Sequence, residues 1–339
     1  MTTAYSGDGI TFPDNSVQAT APRVGMVNRI INGDMRIDQR NGGGVSSALN
    51  GYFIDRWSGF RGAGTITPVF SGQQVSDAPT GFINSAKITV TTAGTGAYYS
   101  LLRQHIEGLN VSDLGFGTAS AKTVTLSFWV KSSITGVYAA GIQNPTGART
   151  YVSNYTISSA NTWEQKTITI AGDTTGTWAT DNSSGILVNF DLGTSTGTVA
   201  TPNTWGNVGI FTSSSIKWSS TNGATFYVTG VQLEKGSTAT DFEYVDYGRQ
   251  LQMCQRYYQD FANGIGVGLM ATKYTPNAGH WITVGFNPRL RAAPTITTNT
   301  WAVSQPVVYG ADAVVVSLYN ASSIFHSQST TVFNASSEL

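Results

Sequence analysis

Charge is what this sequence has least of. Only 11% of its 339 residues are Asp, Glu, Lys or Arg, and nineteen basic residues balance nineteen acidic ones. Globular proteins carry about 25%. No run of Lys or Arg occurs, which removes the electrostatic footprint that nucleic acid needs. The one cysteine, Cys254, rules out an intrachain disulfide. The three histidines, His105, His280 and His326, lie far apart, and none has a Cys or His at metal-ligand spacing. No window approaches the ~18 apolar residues of a membrane-crossing helix. The first residues, "MTTAYSGDGITFPDNS", have neither a basic nor an apolar region and do not read as a signal peptide. Helical periodicity is nearly absent as well.

What is present is glycine, 38 residues of it, with Ser, Thr and Asn crowded between apolar stretches. Hydrophobic residues make up 40% and aromatics 11%, enough for real cores, and the length suits about two domains. Asn-x-Ser/Thr triplets at Asn110, Asn154 and Asn182 are what such a composition produces by chance.

From Arg23 to about Tyr244 apolar residues alternate. In "KTVTLSFWVKS", Val124, Leu126, Phe128 and Val130 point one way; Thr125, Ser127, Trp129 and Lys131 point the other. Ile186, Val188, Phe190 and Leu192 repeat the pattern. Phe226 and Val228 begin it again until Gly230 interrupts, which predicts a bulge or a close backbone approach. Short strands bounded by Gly, Asn, Ser and Thr predict an antiparallel jelly-roll β-sandwich over residues 23–244. Residues 101–114 read as a strand followed by a short helical turn. Residues 1–22, with Ile10 and Phe12 as their apolar pair, cannot bury a core and read as an arm that docks elsewhere. Leu251, Cys254, Tyr258 and Phe261 recur at three- and four-residue steps, which predicts an amphipathic helix over 245–262, opening near Asp246 and Gly248 and closing at Asn263-Gly264. Residues 263–339 return to strands and turns. The predicted class is all-β: a jelly-roll β-sandwich, one linking α-helix and a smaller C-terminal β domain.

Taken in order, "GDGITFPDNSVQATA", "NRIINGDMRIDQRNGG", "GYFIDRW", "KTVTLSFWVKSS", "NGATFYVTGVQLEKGSTATDFEYVDYGRQLQMCQRYYQ" and "FNPRLRAAPTIT" resemble tailed-bacteriophage virion proteins of the tail-fibre or minor structural kind. The resemblance covers most of the chain. Met35 stands where that family often has Phe or Leu, and Asn15 where it often has Gly. The resemblance implies a carbohydrate-binding-module-like jelly roll, a place in the virion on the phage tail or capsid exterior, and a homotrimer. It also implies that the 1–22 arm anchors the chain, through Ile10 and Phe12, to another virion protein. It implies no settled ligand.

Candidate sites follow. Asn32, Asp34 and Asp38 lie where carbohydrate-binding jelly rolls often hold a structural Ca²⁺, although Asn-Gly-Asp also reads as a plain turn. No other cofactor is expected. Trp178, Trp205 and Trp218 sit in polar, loop-like contexts, and Tyr274, His280 and Trp281 occupy an apparent loop tip. Such rings could stack on a host surface glycan, or cap the sandwich ends. On the helix, Met253 and Tyr257 lie off the main apolar face and are the residues left for a neighbouring copy. Carboxylates Asp34, Asp38, Asp55, Glu107, Glu164, Asp191, Glu234 and Glu243 form no spacing suited to glycoside cleavage, and Glu234 and Glu243 read as solvated. The expectation is a non-enzymatic receptor-binding fibre that adsorbs to host surface polysaccharide, with no nucleic-acid partner and no membrane insertion. The alternatives are a capsid decoration or head fibre without a glycan ligand, and a polysaccharide-degrading tailspike.

Overall fold

The computed structural model describes residues 26–47, 51–62, 67–207, 209–260, 285–296, 311–313 and 335–339 in full, and the backbone alone of 4–6, 9–11, 17–18, 280–284, 297–298, 303–309, 314–318 and 333–334. The strands in chain order are β1 (Ala4–Ser6), β2 (Gly9–Thr11), β3 (Val17–Gln18), β4 (Tyr52–Ile54), β5 (Trp57–Gly62), β6 (Val69–Val75), β7 (Ser85–Thr92), β8 (Tyr99–Glu107), β9 (Val124–Ser132), β10 (Gly136–Gln143) and β11 (Thr150–Ile157). They continue with β12 (Glu164–Ile170), β13 (Ser184–Asp191), β14 (Trp205–Gly206), β15 (Thr225–Lys235), β16 (Tyr258–Asp260), β17 (His280–Gly285), β18 (Thr295–Thr298), β19 (Val303–Tyr309), β20 (Ala313–Leu318) and β21 (Phe333–Ser336).

Two antiparallel sheets form the body, one of seven strands ordered β14-β11-β10-β13-β8-β5-β4 and one of five ordered β12-β9-β15-β7-β6. This is an all-β jelly-roll-type sandwich. The alternation in the sequence dictates its interior. Val124, Leu126, Phe128 and Val130 of β9 are buried, as are Ile186, Val188 and Phe190 of β13 and Leu192 just after it. Phe128 from the smaller sheet meets Phe190 from the larger edge to face, centroids 5.0 Å apart.

The bulge expected at Gly230 is present. The register of β15 against β9 shifts between Thr229 and Gln232, and Gly230 has φ 60°. One extra residue changes the phase of the strand. Phe226 and Val228 face the core before it, and Val231 and Leu233 after it, so no apolar residue is turned outward. Only glycine fits, because a Cβ there would lie 2.6 Å from the Phe82 ring and 3.1 Å from Trp129. Residues 101–114 resolve as expected into β8 followed by two 3-10 turns, Gly108–Asn110 and Ser112–Leu114.

The helix differs from expectation. α1 covers Tyr247–Gln255 and not 245–262; the Asp246 carboxylate caps it by accepting from the Arg249 N–H. Tyr258–Asp260 is a strand paired with β21. The helix stops after the Arg256 cap, where buried Glu107 accepts from the Arg256 guanidinium at 2.7 Å and from the Tyr257 hydroxyl at 2.8 Å, and the chain then pairs as a strand. Phe261, Asn263 and Gly264 lie outside the described residues. Cys254 and Tyr257 are buried with Ile31 and Ile37 in a second apolar cluster, and Leu251 and Met253 pack against it. Tyr257 is therefore corrected as an interface residue: its ring lies under the Arg56 guanidinium at 3.5 Å, wholly inside the chain. Met253 is half-buried against the same cluster.

β1, β2 and β3 form a three-stranded antiparallel sheet in that order. Ile10 pairs with Tyr5 and Gln18 there; Phe12 lies outside the described residues. Beyond α1, β16-β21-β18 and β17-β20-β19 form two small sheets. Ser337, Glu338 and Leu339 return to the sandwich base, where Glu338 pairs with Arg40 and Arg56.

Candidate glycan-binding face

The nominated tryptophans do not share one surface. Trp218 is fully buried, packs on Phe226 and donates its indole N–H to the Thr225 carbonyl; it is a core residue, and its polar neighbours in sequence belong to a 3-10 turn. Trp178 and Trp205 do come together, 5.7 Å apart, with Phe116 and Tyr151. Trp205 belongs to the seven-stranded sheet and donates to the Ala171 carbonyl, just past the last strand of the other sheet. The pair thus closes an open edge of the sandwich, with Arg149 clamped to Asp173 through two hydrogen bonds alongside. Tyr274 lies outside the described residues. His280 and Trp281 are not at a loop tip: they begin β17, paired with Leu318 and Ser317, and their side chains lie outside the described residues.

The proposed calcium residues do not fit a calcium shell. Asn32 is buried at φ 59°; its amide donates to the Ile37 and Asp55 carbonyls and its Oδ1 accepts from the Ile37 N–H. Asp38 accepts from the Asn41 and Gly43 N–H groups, and Asp34 Oδ2 from Arg36. That leaves Asp34 Oδ1 as the one side-chain oxygen of the three without a donor, against the six to eight oxygens calcium wants. Among the described residues no group of three His, Cys, Asp or Glu could hold a metal ion.

Glu234 and Glu243 are not solvated either. Glu234 is buried and accepts from the Thr240 N–H and hydroxyl, fixing the turn after β15, and Glu243 accepts from the Asn28 N–H. The Gly230 bulge turned Gln232 and Glu234 to this outer side, where the 236–243 segment covers them.

A different set of residues is assembled by strand register. Paired residues in antiparallel strands share a face. One row across the outside of the seven-stranded sheet is therefore Ser58, Arg103, Asn189, Gly141 and Val152. The next is His105, Leu187, Gln143 and Thr150, and on the other side lie Phe60, Leu101, Asp191, Ala139 and Asn154. The middle of this face is low, a shallow trough with Gly141 and Ala139 at its centre, and it is largely covered: Leu101, Val152, Leu187, Asn189 and Asp191 are buried. No side chain can stand at Gly141, where a Cβ would meet the Tyr151 carbonyl oxygen at 1.9 Å. Residues 193–217 make one wall: Asn203 donates its N–H to Val152, Ile216 its N–H to Val137, and the Thr212 hydroxyl reaches Asn154.

Polar atoms are left over in this trough. Arg103 Nε, Asn189 Oδ1, Thr150 Oγ1 and Asp191 Oδ2 are buried and have no hydrogen-bond partner. Native interiors leave few such groups. The Arg103 guanidinium lies over the Phe60 ring at 4.1 Å. Burial also sets the charges. It is the main cause that pushes His105 down to about 3, with Arg103 and Arg56 adding to it, so the imidazole is neutral in ordinary conditions. Burial pushes Asp191 up to about 7 against the opposing pull of the Thr194 and Gly193 N–H groups and Lys217.

Sequence reasoning missed Arg103, Asn189, Gln143 and Thr150. They occupy the polar phase of alternating strands, which reads as ordinary solvent face. Asn189 and Asp191 between Val188, Phe190 and Leu192 were the available signal.

The fold and this face define an all-β sandwich of the jelly-roll class. No protein-family model and no curated protein sequence matches the chain. Among solved structures, the enzymatically active domain of tailspike protein 4 of bacteriophage CBA120 is similar at 14% identity and TM-score 0.35, over 62% of this chain. The chain spans 22% of the length of that tailspike structure. A family 11 carbohydrate-binding module from Clostridium thermocellum, in complex with a β-1,3-1,4-mixed-linked tetrasaccharide, is similar at 15% identity and TM-score 0.30, over 59% of this chain and 98% of the module. The CBM22-1 xylan-binding domain from Paenibacillus barcinonensis gives 11% identity and TM-score 0.30, over 59% and 99%. Superpositions this loose add nothing to what the strand order already establishes.

Proposed function

We propose that this chain is a non-catalytic component of a tailed-phage virion that binds a host surface glycan in the trough on its seven-stranded sheet. The carrying observation is the set of polar side chains that register brings together there, Arg103, Asn189, Gln143 and Thr150, around Gly141 and Ala139. A saccharide chain laid along this face would meet the partly exposed Arg103, His105 and Gln143, and Phe60 and Tyr99 at its side would offer apolar faces to ring carbons. The virion setting rests on the ordered sequence resemblance, with residues 1–22 as the anchor. The test is a glycan array probed with the intact protein, followed by competition of phage adsorption with the soluble protein. Retention of a defined host-type glycan, and inhibition of adsorption, are expected. An empty array would contradict the reading.

A second reading, a structural fibre or decoration that associates with its own copies, is favoured by one feature. Tyr244 and Tyr247, beside the start of α1, remain 53% and 57% exposed. A protein that runs as a trimer, loses that state on Tyr244→Ser with Tyr247→Ser, and retains no glycan would favour it.

A further inference from the structure

The outside of the five-stranded sheet carries a second ordered row. Register places Lys131, Tyr227, Lys87 and Gln73 side by side on β9, β15, β7 and β6. Trp163, just ahead of β12, completes it: its ring is 6.1 Å from Tyr227 at 72°. The Lys131 ammonium sits between the two rings, 4.3 Å from Tyr227 and 5.1 Å from Trp163. Asp77 fixes this arrangement by accepting from both Lys131 and the Trp163 indole N–H. Trp163, Tyr227 and Lys87 are each half-exposed, so they are ordered and still reachable.

The charge balance of the row decides its ligand. Asp77 is committed to Lys131 and Trp163. Lys87, whose ammonium lies 5.8 Å from the Tyr227 centroid, has no ion pair among the described residues. One cation is therefore left over beside two aromatic rings. A neutral sugar stacked on Tyr227 would offer that ammonium only neutral hydroxyl acceptors and leave its charge unbalanced. A sugar bearing a carboxylate would stack and pair at once, since an ionised acceptor makes the stronger hydrogen bond.

We propose that this row is a second saccharide site, separate from the trough on the opposite sheet, and that it takes a carboxylate-bearing sugar residue. Tyr227 and Trp163 supply the stacking faces, Lys87 receives the carboxylate, and exposed Gln165 reaches the hydroxyls from the edge strand. The site does not depend on the reading of the trough.

The test titrates the full chain, by calorimetry and tryptophan fluorescence, with trigalacturonate, a sialic acid trimer and uncharged galactotriose. At least one acidic trisaccharide is expected to bind ten-fold or more tightly than galactotriose, and more weakly as salt is raised. Lys87→Gln and Lys87→Met should remove the acidic preference, Lys87→Arg should keep it, and Trp163→Ala should weaken binding of the acidic trisaccharide. The trough variant Gln143→Ala with Asn189→Ala should leave it unchanged. The proposal is overturned if no acidic trisaccharide binds, if galactotriose binds equally, if the preference survives in folded Lys87→Gln, or if the trough variant abolishes it.

Discussion

The two outer faces of one sandwich solve opposite problems with the same interior between them. The seven-stranded face is recessed: small residues make its floor, a long loop makes its wall, and polar atoms are buried without partners. The five-stranded face is raised: rings and ammonium groups stand on it with their contacts made among themselves. Recess suits enclosure of a polar chain, and relief suits stacking. Both depend on the Phe128 and Phe190 contact that sets the spacing of the sheets.

That dependence can be broken first. Trp218→Ala removes a fully buried ring from the shared interior and should cost about 3–5 kcal/mol in urea unfolding. Trp163→Ala, on the raised face, should cost under about 1 kcal/mol. Comparable losses would mean that Trp163 is not a surface residue.

Titration tests the seven-stranded face next. The folded pKa of His105 is depressed to about 3 from its ordinary 6.5, so the unfolded chain takes up the proton first and His105 makes the fold less stable as pH falls from 6.5 toward about 3. Asp191 is raised to about 7, so its ionisation disfavours the fold, and its stabilising share is present in acid and lost as pH rises from about 4 to about 7. The two act in opposite directions and must be isolated by variants. Relative to wild type, His105→Gln should gain about 2 kcal/mol between pH 7 and pH 4.5, whereas Asp191→Asn should be relatively more stable at pH 8 than at pH 4.5. Parallel pH curves for wild type and both variants would show that neither group is buried as described.

The sandwich edge gives a smaller effect. Trp178→Ala opens the seam beside Phe116 and Trp205 and should cost about 1–2 kcal/mol, because the ring is only half-buried. It should weaken glycan retention only in proportion to unfolding. Selective loss of binding at unchanged melting temperature would return Trp178 to the ligand surface.

Deleting residues 1–22 should change least. The arm pairs with itself as β1-β2-β3, so the melting temperature should move by no more than a few degrees while incorporation into particles is lost. Full incorporation of the truncated chain would remove the anchor assignment.

The interior was legible in the sequence because its apolar residues alternate, and Val124, Leu126, Phe128 and Val130 with Ile186, Val188, Phe190 and Leu192 are all buried, although most residues between them are covered as well. Gly230 was legible because a strand glycine has few other uses. The end of α1 was not: Tyr258 carries helical spacing, yet a partner strand 75 residues away and the buried Glu107 carboxylate decide its conformation. The trough was not legible for the same reason. Arg103, Asn189 and Gln143 are far apart in sequence, and only register makes them neighbours. Tryptophan in a polar context misled at Trp218, whose ring folds back into the core from a surface turn.

The most direct test of the central claim is a paired titration of one array-selected glycan against wild type, Gln143→Ala with Asn189→Ala, and Trp163→Ala with Lys87→Gln. With melting temperatures matched, the account predicts that the first variant weakens binding of a neutral host glycan at least ten-fold, about 1.4 kcal/mol, and the second leaves it unchanged. The reverse pattern would contradict it.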